Sequence, residues 1–178
     1  MNAKGITALA LLAALAMAVG GCSHGRGVEM GVFGAGLDSR DLGEGFGGGV
    51  KLELNPLDRI SVDARVSYIN FDDTDVEVMP VEAAGLFNFP MLGERIVPYA
   101  GAGVGYYHFD GNGADIDDEF GFFPLAGLEI GLQRLSILAE ARWLFLQTDV
   151  DAAKAELANI TKANIDSLGI NIGVLYRF

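Results

Sequence analysis

Cysteine is almost absent from this chain. Cys22 is the only one in 178 residues, so no internal disulfide can staple the fold. Basic residues are also few: 12 Lys and Arg stand against 24 Asp and Glu, for a net charge of −12. Without a basic patch to meet phosphates, a nucleic-acid partner is not expected. Unaided attraction to anionic lipid headgroups is not expected either. Histidine is limited to His24 and His108, which leaves little for catalysis by a histidine base. Past the N-terminal stretch there is no apolar run long enough for a membrane-crossing helix.

The N-terminal stretch is itself apolar. Lys4 supplies a positive start, Ile6 to Val19 is nearly all apolar, and small residues follow. That run is short for a bilayer span and reads as an export signal over 1–21, with a short lead over 22–27. Residues 28–178 then form one domain, long enough for a closed eight-stranded barrel.

What fills that domain is alternation. In 165–178 the even positions Leu168, Ile170, Ile172, Val174, Tyr176 and Phe178 are apolar. The odd positions from Ser167 to Arg177 are mostly small or polar, which specifies a strand with two unlike faces. The same period predicts strands at 28–38, 46–55, 60–71, 76–89, 96–109, 120–132 and 135–147. Glycines blur the phase of the first. Asn55 to Arg59, Pro90 to Arg95, and Gln133-Arg134 read as tight turns. Pro80 inside the fourth strand suggests a bulge. The intervening connections are polar and mostly longer; Ala152 to Ala163 could hold a helical turn capped by Asp149 or Asp151. The fold class is therefore all-β: an eight-stranded antiparallel up-and-down barrel. Short turns at one end and long loops at the other are the asymmetry of transmembrane barrels.

Alternation alone also fits a soluble barrel with an apolar interior. Aromatic placement favours the membrane form. On the apolar face Phe46, Tyr68, Tyr106, Phe122, Trp143 and Phe145 fall toward the loop end; Phe87, Phe89, Tyr176 and Phe178 fall toward the turn end. Aliphatic residues lie between, as two headgroup-level girdles require. The polar face then points inward. Its charges are Lys51, Arg65, Arg142 and Arg177 against Glu53, Asp63, Glu82, Glu129 and Glu140. Eight strands leave an interior about filled by side chains, and buried charges must pair. A salt-bridged plug centred on Glu129, Glu140 and Arg142 is expected, with a narrow channel or transporter for small or apolar solutes as the alternative.

Pro98-Tyr99-Ala100-Gly101-Ala102-Gly103-Val104-Gly105-Tyr106 and the closing Tyr176-Arg177-Phe178 resemble the outer-membrane β-barrel family typified by the OmpA transmembrane domain. That resemblance implies a Gram-negative-type envelope, an integral outer-membrane location with both termini periplasmic, and no catalysis or cofactor. It also implies lipid and lipopolysaccharide neighbours, and an assembly machinery that reads Phe178. The transporter alternative resembles OmpW-type barrels. Val19-Gly20-Gly21-Cys22 resembles a lipoprotein lipobox, which implies acylation of Cys22; ordinary cleavage nearby would leave Cys22 incidental or remove it. A monomer is expected.

Two further motifs are weak. Barrel-type lipid-modifying enzymes pair a His with a Ser near the rim, and His108 has no such serine beside it. Asp110-Gly111-Asn112-Gly113-Ala114-Asp115 begins like a calcium loop but puts Asp115 where the pattern needs glycine. A solvated acidic loop is the expectation there.

Overall fold

In a computed structural model, described for residues 27–39, 43–71, 76–91, 95–111, 119–148 and 163–178, the chain is a closed barrel. Eight strands follow in order: β1 (Gly27–Ser39), β2 (Gly43–Leu57), β3 (Ile60–Phe71), β4 (Val76–Asn88), β5 (Ile96–Gly111), β6 (Glu119–Leu132), β7 (Leu135–Thr148) and β8 (Ala163–Arg177). Each pairs antiparallel with its neighbour, and β1 pairs with β8 to close the ring, so no sheet edge is left open.

The predicted elements and the observed ones coincide, with most strand ends extended by up to three residues and β4 and β8 each ending one residue earlier than expected. The extension has a cause: in a closed barrel each strand continues for as long as both neighbours offer hydrogen bonds. Gly27 opens β1 with a φ of 87°, a conformation glycine enters freely. The loop expected from Ser39 to Gly45 is correspondingly shorter, since Ser39 and Gly43 are themselves paired. The Ala-rich segment read as a helical turn lies outside the described residues up to 162, and Ala163 opens β8.

Two expectations about proline change places. Pro80 makes no bulge. The β3–β4 register is the same on both sides of it, from Val66↔Val81 to Ile69↔Val78, and β4 stays in register with β5 throughout. The missing amide costs ladder contacts and no extra residue. The irregularity lies instead between Leu54 and Leu57, around Asn55-Pro56. There β2 runs on past the proline, and the turn shrinks to Asp58-Arg59. At the other tight hairpin Gln133 takes a φ of 60°, where glycine is usual.

The inside and outside of the barrel are inverted relative to a water-soluble protein. Asp63 is 0 % exposed and Arg65 1 %, while Ile172 is 63 % and Phe120 75 % exposed. Every strand presents apolar side chains outward, making a continuous apolar belt far larger than a soluble monomer carries. All ten predicted girdle aromatics are on that outer wall: Phe46, Tyr68, Tyr106, Phe122, Trp143 and Phe145 toward the loop end, Phe87, Phe89, Tyr176 and Phe178 toward the turn end. Neighbouring rings touch within each group, at 4.9 Å for Phe87–Phe89, 5.1 Å for Tyr176–Phe178 and 6.4 Å for Phe122–Phe145. Phe120 joins the loop-end group 5.0 Å from Tyr106.

Candidate functional site: the filled lumen

The interior is built by strand parity. Lys51, Arg65 and Glu82 are successive cross-strand partners on β2, β3 and β4, so three charges stand side by side on the inner wall. Glu53 and Asp63 are also direct partners, a like-charged pair that would repel. Lys51 resolves this: its Nζ lies 3.0 Å from Glu53 Oε2 and 3.1 Å from Asp63 Oδ2.

Arg65 is the centre of the network. Its Nη2 donates to Asp63 Oδ2 at 2.5 Å and its Nε to Asp63 Oδ1 at 3.3 Å. On its far side Nη1 donates to Glu140 Oε1, and Nη2 to Glu140 Oε2 at 3.2 Å. In a ring of eight, β3 and β7 are diametrically opposite, so this one guanidinium spans the lumen. A second bridge runs from Arg142 Nη1 on β7 to Glu82 Oε2 on β4. Bidentate pairing such as that of Arg65 with Asp63 and Glu140 orients both partners as well as attracting them.

Neutral donors complete the carboxylates. Tyr107 donates to Glu82 Oε1 at 2.6 Å; Tyr99 donates to Glu140 Oε2 and Asn171 Nδ2 to Glu140 Oε1, both at 3.1 Å. The Phe123 ring lies between the two arginines, 5.9 Å from the Arg65 guanidinium and 5.7 Å from that of Arg142. Such stacking suits a desolvated guanidinium.

Toward the turn end the polar lining continues. Arg177 Nε donates to Glu29 Oε1 at 2.7 Å, and Arg177 Nη2 lies 3.5 Å from Glu129 Oε1. Beside them Asn88 Nδ2 donates to Ser61 Oγ, and Ser61 Oγ to Asn55 Oδ1, each at 2.5 Å. Toward the loop end the lining changes character. Ile69, Phe71, Val76, Val78, Phe109, Leu144 and Leu146 are buried there as a mostly apolar collar, with Ser39, Glu119 and Ser167 buried at the same end.

The expected centre is corrected in one respect. Glu129 lies near the turn end with Arg177, and not with Glu140 and Arg142. Glu140 and Arg142 do lie at mid-height, yet each pairs across the lumen, with Arg65 and Glu82 respectively. Residues two apart on a strand point the same way, and parity says nothing about which opposite residue they meet. Tyr99, Tyr107, Phe123, Asn171 and Glu29 were not foreseen as members. Tyr99 and Tyr107 share the phase of Gly101, Gly103 and Gly105, so extending that face would have found them. Glu29 was hidden by the glycine-blurred phase of β1.

Other candidates stand apart from this network. His108 is on the outer wall opposite Met79, away from the luminal groups. Among the described residues no His, Cys, Asp and Glu group could hold a metal ion. Cys22, His24 and most of the acidic segment beginning at Asp110 lie outside the described residues.

An apolar outer belt, charges turned inward and a ring without edges define an integral membrane β-barrel. The chain belongs to the outer membrane protein beta-barrel domain family, whose model matches residues 5–178. Among solved structures it is similar to Neisserial surface protein A (NspA), at 18 % identity over 85 % of this chain and 96 % of that one, with a TM-score of 0.64. It is also similar to OprG from Pseudomonas aeruginosa, at 14 % identity over 86 % and 98 % of the two chains, with a TM-score of 0.59. Ail, the attachment invasion locus protein of Yersinia pestis, is a third, at 15 % identity over 85 % and 96 %, with a TM-score of 0.52. These likenesses are of fold. No curated protein matches the sequence. The protein is thus an outer-membrane barrel.

Proposed function

We propose that this is a plugged barrel with a structural or surface-interaction role, and that it has neither catalytic activity nor a cofactor. The observation that carries the reading is the Arg65 guanidinium, which joins Asp63 on one wall to Glu140 on the opposite wall. A side chain held at both ends leaves no continuous aqueous path at mid-height. The acidic loops then face outward, both termini are periplasmic, and lipid and lipopolysaccharide surround the belt. Phe178 serves as the signal to the assembly machinery, Cys22 is acylated, and the barrel works as a monomer. The name of Ail ties that barrel to attachment and invasion, and a surface role for these loops is consistent with such a neighbour.

Planar-bilayer recording tests the plug. The intact barrel is expected to give no steady ion steps, and steady steps would remove the plugged reading. Palmitate labelling that is lost in Cys22→Ser tests the anchor. Heat-modifiable gel mobility of the detergent-extracted protein checks that a closed barrel has formed.

A second reading is favoured by one observation, the mostly apolar collar of Ile69, Phe71, Val76 and Leu144 at the loop end. Such a lining would admit an apolar solute before an ion. Uptake of a labelled hydrocarbon into proteoliposomes, in the absence of ion steps, would favour this reading over a purely structural role.

A further inference from the structure

Charge is divided unevenly between the two ends of this barrel. The four segments that join strands at the loop end, 40–42, 72–75, 112–118 and 149–162, hold ten acidic residues and three basic ones. The three at the turn end, 58–59, 89–95 and 133–134, hold two acidic residues and three arginines. Exposed charges a bilayer apart barely interact, because salt screens them within about 10 Å. Net charge therefore disfavours anionic headgroups at the loop end, and not at the turn end.

The three arginines share one position. Arg59, Arg95 and Arg134 are each the last residue of a turn, directly before β3, β5 and β7, and all three are exposed. The carbonyl of each accepts a backbone N–H from the following strand, that of Asn88, Gly131 and Arg177 respectively, at 2.8 Å. None forms an ion pair with a described residue. The residue before each arginine differs: it is Asp58, Glu94 and Gln133 in turn, so Arg134 alone has no acidic neighbour in its turn.

Arg134 is also aimed. Its Nη1 donates to the Tyr176 hydroxyl at 3.4 Å. Tyr176 stands on the outer wall in the turn-end girdle, so the guanidinium lies on the lipid side of the rim and not over the lumen. The hydroxyl accepts this bond and keeps its own proton, for which no acceptor is found among the described residues. Leu135, the cross-strand partner of Tyr176, faces outward beside them. N–H and O–H donors thus meet at the border of the apolar belt.

We propose that this border binds an anionic phospholipid, its phosphate held by the Arg134 guanidinium and the Tyr176 hydroxyl and its chains lying on Leu135 and the girdle. A phosphodiester supplies the acceptors these donors lack, and the arginine fork matches its two free oxygens. A zwitterionic head brings a cation that Arg134 repels, so a head with net negative charge is preferred. Which leaflet supplies the lipid rests on the orientation proposed above, with the turn end periplasmic; the contact itself does not.

β7 offers a reporter at each end. Trp143, the single tryptophan, faces outward toward the loop end, and Leu135 faces outward at the turn end. The whole protein, and a variant that moves the tryptophan (Trp143→Phe with Leu135→Trp), are reconstituted in phosphatidylcholine vesicles. The vesicles are doped with lipid brominated high on its chains, which quenches tryptophan on contact. Its head is choline or glycerol, and the two differ by one net negative charge. At the turn-end reporter, half-quenching is expected at an about fivefold lower fraction of the glycerol lipid, the effect of one arginine at a membrane surface. At Trp143 the glycerol lipid should have no advantage. Adding Arg134→Gln should bring the two lipids level at the turn end, and Arg134→Lys should keep the preference. Unchanged heat-modifiable mobility confirms that the variants are folded. Equal quenching by the two heads at the turn end would overturn the proposal and leave the arginine to an acidic protein partner. A curve unaltered by Arg134→Gln, or an equal preference at Trp143, would overturn it as well. Both leaflets hold the same mixture, so these curves do not depend on which way the barrel inserts. Binding of an external antibody on intact cells to an epitope placed at Gln133 would overturn the choice of leaflet alone.

Discussion

The lumen has two storeys made in different ways. From mid-height to the turn end it is a lattice of charges and amides, held by directional bonds from Arg65, Arg142, Lys51 and Arg177. At the loop end it is mostly a collar of aliphatic and aromatic side chains held by packing, with few buried polar groups. Both lie on the same face of the same strands. Parity therefore selects what points inward but not what kind of interior results. The ionic storey ties opposite walls together at defined points, and the collar excludes water without caring which atom meets which.

The largest test of that contrast is Arg65→Ala. It strands Asp63 and Glu140 without their bidentate partner and should cost about 3–5 kcal/mol. Denaturant unfolding from lipid vesicles measures this, and ion steps should appear in bilayer recordings of the same variant. Replacing Arg65 by Met together with Asp63→Asn and Glu140→Leu should recover most of the loss, because the penalty comes from unpaired charge. No recovery would mean that the network is needed for the fold itself.

In the collar, Leu144→Ala should cost about 2–4 kcal/mol through lost burial and the cavity it leaves. It should also open no ion path, since the bridges below it remain. Conductance equal to that of the Arg65 variant would erase the distinction between the storeys.

A third comparison joins them. Gly103 faces Phe123, the ring lying between the two arginines, and a Cβ there would also crowd the Ala83 carbonyl. Gly103→Ala should cost about 1–3 kcal/mol as overpacking. The outward Gly36→Ala should stay within about 0.5 kcal/mol. Equal effects would show that packing against the lumen does not set these two glycines apart.

Within the network, the smallest loss expected is that of Tyr107→Phe. It removes one donor from Glu82, which keeps Arg142, and should cost about 1 kcal/mol. A loss as large as that of Arg65→Ala would mean that the neutral donors, and not the cations, carry the network.

Much of this architecture was legible in the residues. The β8 alternation from Leu168 to Phe178, and the Ala-Gly alternation of β5, give strand type and facing directly. The same parity put Lys51, Arg65, Glu82, Glu140 and Arg142 on the inner side. Legibility failed where the signal was weak or non-local. The glycines of β1 left no phase from which to place Glu29. Pro80 looked like a bulge, yet it was tolerated within an unbroken register, while the bulge arose beside Pro56. The inward run of Ile69, Phe71, Val76 and Val78 was readable only by extending each face to the strand ends.

Side-chain period, aromatic rings at two heights and turn chemistry are local properties, so the chain alone settled a closed barrel and which way most residues outside β1 face. Which charges meet is another matter. It depends on the stagger with which the ring closes, because that stagger sets the height at which β3 faces β7 and β4 faces Arg142. Only the closed cylinder could bring Arg65 to Glu140, 75 positions away along the chain, and place an apolar hollow where two glycines of β1 pass between β2 and β8.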